Sequence, residues 1–286
     1  MRTTMRTILT FVTVAFIWSC SASKMNLTEM STKGFQIVYK PKIGSVAKYM
    51  ITSNSDITQN MMGQEQNFGT KSDMSMILKV SGVTENEINY DVTFESATIE
   101  SNAPGLTGIG DYKEKLLSSN VKITSDPFGK VTKITGTEAI KKLALGSNID
   151  ILLKNLFIIF PEKVLKIGDS WPHKETNTVK SGPLNLDINS NTTYKFVGVE
   201  TKQNTECLRF DVEVSMKLSG KGQQNGMDLE FDGIGTGTGV FYFDYATGVF
   251  VNITSNSQTE GVVAIPSQGM DIPMTVVQTA EINLVK

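Results

Sequence analysis

The feature that most constrains this chain is a long two-residue alternation of apolar and polar side chains. From Leu208 to Leu218 every even position is apolar, and every odd position is charged or polar. The same period recurs from Ile88 to Phe94, and one parity is mostly apolar from Met274 to Leu284. Successive side chains of a strand point to opposite faces, so this period indicates antiparallel sheets with one buried and one solvated face. The chain is therefore predicted to be mainly β.

Three segments of the first half recur in the same order in the second half. The stretches KIGSVAKY, LKVSGVTENEINYDVTFE and DPFGKVTKI are followed later by KIGDSWPH, YKFVGVETKQNTECLRFDVEV and DYATGVFVNI. Turn chemistry alone can place Gly and Asp at such points, but the shared order favours an internal duplication. We therefore predict two similar antiparallel β-sheet units, a first unit over 35–135 and a second over 163–286.

The period changes to a helical one between these two units. Thr135 and Glu138 have the spacing of a capping box, and Pro161 would end a second helix. One apolar stripe at helical spacing is formed by Ile149, Leu152, Leu153, Leu156, Phe157 and Phe160. Residues 136–162 are therefore predicted to form a helical hairpin that joins the units, with curved sheets wrapping the helices. A shorter helix is predicted from Asp111 to Ser118.

The amino end carries the pattern of a secretory signal. Arg2 and Arg6 precede an apolar run over 8–18, which is shorter than the roughly 20 residues that a spanning helix needs. The next residues, Ile17-Trp18-Ser19-Cys20, resemble the lipobox of bacterial lipoproteins. That resemblance implies a signal peptide over 1–19, lipidation of Cys20 and a lipid-anchored tether over 20–34. The alternative is ordinary cleavage near Ser21–Ser23, which would release a soluble secreted protein.

The resemblance to lipoproteins also implies a location. No Asp directly follows Cys20, and no acidic cluster lies nearby. By resemblance, this favours an anchor in the outer membrane with the protein facing the periplasm, so the membrane is an expected partner.

Composition excludes several function classes. Lys and Arg number 27 against 29 Asp and Glu, so the charge is nearly balanced and nucleic acid is not an expected partner. The chain has two cysteines and one histidine, His173, which argues against a disulfide scaffold, a His-based metal site or a Ser-His-Asp triad. We expect no cofactor, no metal and no enzymatic activity. Cys207 falls on the polar parity of its strand, so a partly exposed thiol is expected.

A glycine-rich strand is the main candidate for a binding site. Positions of one parity are Leu229, Phe231, Gly233, Gly235, Gly237, Gly239, Phe241 and Phe243. They would form a trough of bare positions between aromatic walls. Glycines inside a strand mark a bulge, a bend or the close approach of another element, so the connector helix could fill this trough or the sheet could coil there. The other interpretation is that an apolar ligand or acyl chain lies in it.

The chain also resembles a known family. The segment FPEKVLKIGDSW, with its turn at Gly168–Trp171, and the strand GTGTGVFYFDYATG leading to Asp244 and Gly248 are similar to the uncharacterised bacterial envelope lipoprotein family called domain of unknown function 6263. The resemblance implies an envelope location and supplies no catalytic residues.

Together, these observations predict a cell-envelope lipoprotein that acts as a non-catalytic binding or carrier module for an apolar or envelope ligand. A structural or assembly lipoprotein, which would bind an envelope protein, is the alternative. A hydrolytic enzyme is less favoured because the usual nucleophile, metal and cofactor patterns are absent from the sequence.

Overall fold

The computed structural model describes residues 33–103, 108–143 and 149–285. The predicted signal peptide, Cys20 and nearly all of the tether lie outside the described residues. The strands are β1 (Val46–Met61), β2 (Gln64–Val83), β3 (Ile88–Ser101), β4 (Val121–Ser125), β5 (Val131–Thr135), β6 (Ser170–Ser181), β7 (Leu184–Lys202), β8 (Thr205–Gln224), β9 (Met227–Asp244), β10 (Val249–Ile265) and β11 (Met270–Val285). The helices are α1 (Ile109–Leu117), α2 (Glu138–Lys141) and α3 (Ile149–Lys154), with a short 3-10 helix at Pro266–Gln268.

The strands form one antiparallel sheet in the order β5-β4-β3-β2-β1-β11-β10-β9-β8-β7-β6. The mainly β, antiparallel prediction is thus confirmed, and the two predicted β-sheet units share this one sheet. Each half is a meander, and the meanders join where β1 pairs with β11, from Lys48–Val285 to Gln59–Met274. The pairing satisfies backbone groups that would otherwise be exposed on two free edges.

The two halves share local features without being alike throughout. The Gly44 amide donates to the Val80 carbonyl over 2.8 Å, and the Gly168 amide donates to the Phe196 carbonyl over 2.7 Å. The carbonyl of each pair lies at a register shift, at Val80/Gly82 in β2 and at Phe196/Gly198 in β7. In the first half, however, β4 and β5 have five residues each and α1 precedes β4. The internal duplication therefore stays a prediction.

The connector between the halves contains less helix than predicted. Among the described residues, α2 is a single turn and α3 ends at Lys154 rather than at Pro161; positions 144–148, between these two helices, lie outside them. Beyond Phe157 the backbone bonds to other elements instead of continuing the helix: Ile158 N donates to Tyr39 Oη over 2.9 Å, and Phe160 N donates to Phe128 O over 2.8 Å. The predicted helical hairpin is therefore not observed, whereas α1 matches the short helix predicted at 111–118.

The core lies in one half of the sheet. We call the face that packs against the connector the core face. The proximal half is the one that carries the β2–β3, β7–β8 and β9–β10 turns, and the distal half carries the β1–β2, β6–β7, β8–β9 and β10–β11 turns. The proximal core face and the connector bury Tyr39, Phe157, Phe160, Trp171, Phe196, Phe210, Phe243 and Phe250. The distal core face is mostly half-buried, with a few buried residues outside this cluster: Val179, Leu229, Phe231 and Ile272.

Within the described part of the chain, none of the helices has the length and apolar character needed to cross a bilayer.

Candidate apolar binding site

A cavity of about 300 Å³ lies in the proximal half, between the core face and the connector. The lining comes from β1, β2, β3, β10 and β11, from the start of β8 and the β9–β10 turn, and from Tyr39, Ser45, Leu156 and Phe157 outside the strands. Most of these residues are apolar because they occupy the inward parity of their strands. In the register of β1 and β2, for example, Ala47 lies opposite Leu78. The cavity is thus enclosed by segments that are distant in sequence.

Aromatic rings hold the inner wall of the cavity in place. Tyr39 contacts Phe157, with ring centroids 5.8 Å apart, and Phe250, with centroids 6.2 Å apart. Tyr90 contacts Phe157 from the sheet side, with centroids 5.3 Å apart. Aromatic pairs at such separations add to the stabilisation from burial. The wall is therefore part of the folded core and keeps its shape without a ligand.

The Tyr39 hydroxyl fastens the connector to this wall. It accepts a hydrogen bond from the Ile158 amide over 2.9 Å and donates to the Ile158 carbonyl over 3.2 Å. Burial raises the pKa of Tyr39 well above its ordinary value, and burial likewise raises the pKa of Tyr49 and Tyr90. These hydroxyls stay protonated, because the charged form is disfavoured away from water. They serve as structural groups rather than as nucleophiles.

One of these hydroxyls, that of Tyr90, lies close to the buried hydroxyl of Ser125 beside the cavity. Tyr90 Oη and Ser125 Oγ are both buried, and neither has a partner of hydrogen-bond geometry in the described residues. The Ser125 hydroxyl is nevertheless near enough to offset part of the rise in the Tyr90 pKa that burial causes. Both hydroxyls can therefore be satisfied by a small local rearrangement.

The rim of the cavity is polar. Its polar lining residues are Ser45, Thr205, Asp244 and Thr247. Asp244 accepts from the Ala246 amide over 2.9 Å and from the Thr247 hydroxyl over 2.6 Å, so its carboxylate stabilises the β9–β10 turn. Gly248 closes that turn with a φ of 73°, a left-handed conformation that glycine adopts readily. The predicted Asp-to-Gly turn therefore lies directly at the mouth of the cavity.

The predicted glycine trough lies elsewhere on the core face. The register with β8 and β10 places all eight trough residues on this face, with Gly235 between Met216 and Thr259. None of them lines the cavity. A Cβ on Gly235 would lie 2.8 Å from Thr259 Oγ1 and 3.0 Å from Met216 Cε, and the Phe231 ring lies over Gly233. The atoms nearest to these glycines belong to side chains of the trough and to side chains and backbone carbonyls of the adjacent strands, rather than to the connector.

The other candidate residues do not assemble into a site. His173 lies on the edge strand β6, opposite Thr192. Among residues 33–103, 108–143 and 149–285, no group of three or more His, Cys, Asp or Glu side chains could hold a metal ion. The expectation of a partly exposed Cys207 is wrong, since Cys207 and its neighbour Leu208 are both 0% exposed. Adjacent residues face opposite sides of a strand, so β8 is covered on both faces at this point.

Sequence reasoning missed the cavity because its lining depends on which strands become neighbours. The inward parity of Ala47, Tyr49, Leu78 and Val80 is readable from the alternation. That the Asp244–Gly248 turn and Leu284 complete the same cavity follows only from the pairing of β1 with β11. Sequence pattern carries little information about such long-range pairing.

Comparison with solved structures shows a shared fold at very low identity. The chain is similar to lipovitellin, whose structure is titled for its lipid–protein interactions, with a TM-score of 0.51 and 12% identity over 86% of this chain. The match covers 26% of the lipovitellin chain, so this chain spans about a quarter of that protein. At this identity the likeness shows the fold alone.

Two other solved structures match with much lower scores. OccK2 from Pseudomonas aeruginosa has a TM-score of 0.28 and 7% identity, covering 86% of this chain and 100% of its own. A Bacteroides fragilis protein with a YmcC-like fold has a TM-score of 0.25 and 9% identity, covering 88% of this chain and 100% of its own. No structural equivalence is drawn from such scores.

Sequence comparison supports the family resemblance over part of the chain. No curated protein matches the sequence. The matching segment, residues 147–250, runs from just before α3 to the start of β10 and includes both the Gly168–Trp171 turn and the Asp244–Gly248 turn. The match does not extend to β1–β5 or to β11. Residues 147–250 are a match to the Family of unknown function (DUF6263).

Proposed function

We propose that this protein is a non-catalytic binding or carrier module of the bacterial cell envelope that holds an apolar ligand in the proximal cavity. The observation that carries the proposal is the cavity itself, about 300 Å³ in volume and walled by aromatic and aliphatic side chains. Small-molecule sites have volumes of roughly 300–1,000 Å³ and are lined mainly by apolar residues with few polar groups. The cavity lies at the lower limit of this range.

The energetics of packing favour a bound ligand. An empty apolar cavity forgoes dispersion contacts with its walls and costs stability in proportion to its volume. Dry apolar cavities in proteins bind apolar guests of matching size. A ligand that fills the space beside Ala47 and Leu78 would recover those contacts, so binding and stability should rise together.

Two further lines of support are indirect. Lipovitellin shares the fold, and its structure is titled for lipid–protein interactions; this is an analogy, because fold alone does not specify function. The envelope location and the membrane anchor rest on the signal pattern and on Cys20 in its lipobox-like context. The proposed location is the outer membrane, facing the periplasm.

The alternative, a structural module that adds a partner's strand at its edge, is less favoured. β5 and β6 end the strand order, and β6, with 12 residues against 5, offers the longer edge for strand addition. That edge carries Pro172, which lacks an amide donor, together with Lys174 and Lys180. Glu175 lies on its core face. Proline, lysine and an inward charge are the features by which edge strands avoid further pairing.

Native mass spectrometry with lipid analysis of protein purified from the envelope tests the proposal. An apolar ligand should co-purify with the native protein. In vitro, an environment-sensitive naphthylamine probe should bind, and Ala47→Phe, which fills the cavity, should weaken that binding at least tenfold.

Val214→Phe is the matched control, because Val214 lies on the core face of β8 and does not line the cavity. Circular dichroism would verify that both variants fold. The proposal fails if no ligand co-purifies and the probe does not bind the native protein. It also fails if both variants bind the probe as tightly as the native protein does.

A further inference from the structure

We infer, as a deepening of the proposed function, that the ligand is a single-chain amphiphile with an uncharged, hydrogen-bonding head group. Monoacylglycerols, long-chain alcohols and long-chain amides belong to this class. The anions of fatty acids would be discriminated against. The inference rests on the volume of the cavity and on the character of its rim.

The volume limits the tail. At about 300 Å³ the cavity is near the lower limit for small-molecule sites, so it suits one hydrocarbon chain rather than the paired chains of a phospholipid. Its inner end is closed by Tyr39 and Phe157, which belong to the ring cluster of the core. A tail can therefore enter only from the rim, and the head group must remain there.

The rim limits the charge of the head. Among the described residues, Asp244 is the one charged residue in the lining, and none of the lining residues there is Lys or Arg. A carboxylate or phosphate head would lie near a like charge without a cation to pair with it, which is unfavourable at a partly desolvated position. The hydroxyls of Ser45, Thr205 and Thr247 lie on the same rim. A hydroxyl or amide head can bond to such groups without needing a counter-charge.

Two lysines close to the rim supply the strongest competing interpretation. Lys40 N lies 3.1 Å from the position that a Cβ on Gly248 would take, and Lys42 O accepts from the Ser45 amide over 3.0 Å. Both side chains are exposed, whereas Tyr39 and Pro41, which alternate with them, are buried. The lysines therefore project into solvent, where water and salt screen their charges.

Calorimetric titration with three amphiphiles of equal tail length, each below its micelle concentration, tests the inference. The probes are monolaurin, laurate and dodecyltrimethylammonium. We expect monolaurin to bind the native protein about tenfold more tightly than laurate, the effect of one unfavourable charge contact near a protein surface. Asp244→Asn should raise the affinity for laurate about fivefold relative to that for monolaurin, because removing the charge removes that contact. Asn keeps an acceptor for the Ala246 amide, so the turn is preserved.

The outcomes separate the two proposals. Laurate binding most tightly, with Lys40→Gln weakening it, would overturn the uncharged head and leave the apolar site intact. Equal affinities for monolaurin and laurate that Asp244→Asn does not change would also overturn it, and so would dodecyltrimethylammonium binding more tightly than monolaurin. If none of the three amphiphiles binds, and Ala47→Phe is indistinguishable from the native protein, the proposed function fails together with the inference.

Discussion

The proximal and distal halves of the sheet use the same strands in two different environments. In the proximal half, inward residues such as Phe210 and Phe243 pack against rings of the connector, for example Phe160 with centroids 5.4 and 5.5 Å away. In the distal half, the same parity carries small and polar residues, and Ser53 and Ser72 hydrogen-bond to each other over 2.8 Å. Alternation thus specifies which face turns inward. Coverage of that face depends on a segment from elsewhere in the chain.

This difference has an energetic consequence. Burial of apolar surface is the main stabilising contribution to folding, and it is concentrated where the connector packs. The strands of the distal half are held together mainly by backbone pairing and by side-chain contacts between adjacent strands. Regions with few buried apolar contacts open at lower free-energy cost than the core does. The proximal half should therefore have the higher local stability, and changes of pH and sequence can test this difference.

The largest expected effect is alkaline destabilisation of the proximal half. Burial raises the pKa of Tyr39, Tyr49 and Tyr90 above the ordinary range, and it raises the pKa of Tyr194 to about 12. The unfolded state loses these protons near pH 10 while the folded state retains them, so stability is present below about pH 10 and falls as pH rises further. The loss should be about 1.4 kcal/mol per pH unit for each tyrosine that stays protonated.

Urea unfolding as a function of pH, monitored with tyrosinate absorbance, measures this effect. Tyr49→Phe is the matched control, since it removes one titrating group and should reduce the slope above pH 10 by about 1.4 kcal/mol per unit. Tyrosines that ionised at ordinary pH without loss of stability would show that the proximal core is open to solvent.

Much of the proximal half was predictable from sequence, and the reason is the length of its alternation. The period alone identified two sets of residues that are buried: Leu208, Phe210 and Val212 of β8, and Leu153, Leu156 and Phe160 of the connector stripe. The helix predicted through 160 was wrong because the hydroxyl of Tyr39, more than a hundred residues away, bonds to Ile158. Tertiary contacts of this kind override local helical period, and a single sequence does not reveal them.

The next largest effect should come from truncating one phenylalanine in each half. Phe160 is 2% exposed and contacts four other aromatic rings, so Phe160→Ala should reduce the free energy of unfolding by about 3–5 kcal/mol. The ring of Phe231 lies over Gly233 and Gly261 on the thinly covered distal face, which can collapse around the gap. Phe231→Ala should therefore cost roughly half as much. Equal losses in chemical denaturation would mean that the distal patch is a second core.

The site shows the same division between what is local and what is long-range. The shared parity of Gly233, Gly235, Gly237 and Gly239 was readable from the sequence. The distance of these glycines from the cavity could not be predicted from the sequence, because it depends on where the connector lies. The glycines allow Met216 and Phe231 to lean across β9, and an interpretation as an open trough could not anticipate how these side chains fill the space.

The smallest expected effect is that of Gly237→Ala in this distal strand. A Cβ there would lie 3.1 Å from both Asn256 O and Ser257 Cβ, a tight fit that needs a shift of a few tenths of an ångström. Alanine also restricts the unfolded chain, which favours folding by about 0.5–1 kcal/mol, so the net change should stay within about 1 kcal/mol.

The same substitution at Gly129, in the proximal half, is the contrast. There φ is 91° and the new Cβ would collide with the Ile158 carbonyl oxygen, so a loss above about 2 kcal/mol is expected. Thermal unfolding of both variants, with probe titration, measures the difference. Probe affinity that fell in Gly237→Ala while its stability held would move the binding site from the cavity to the glycine strand.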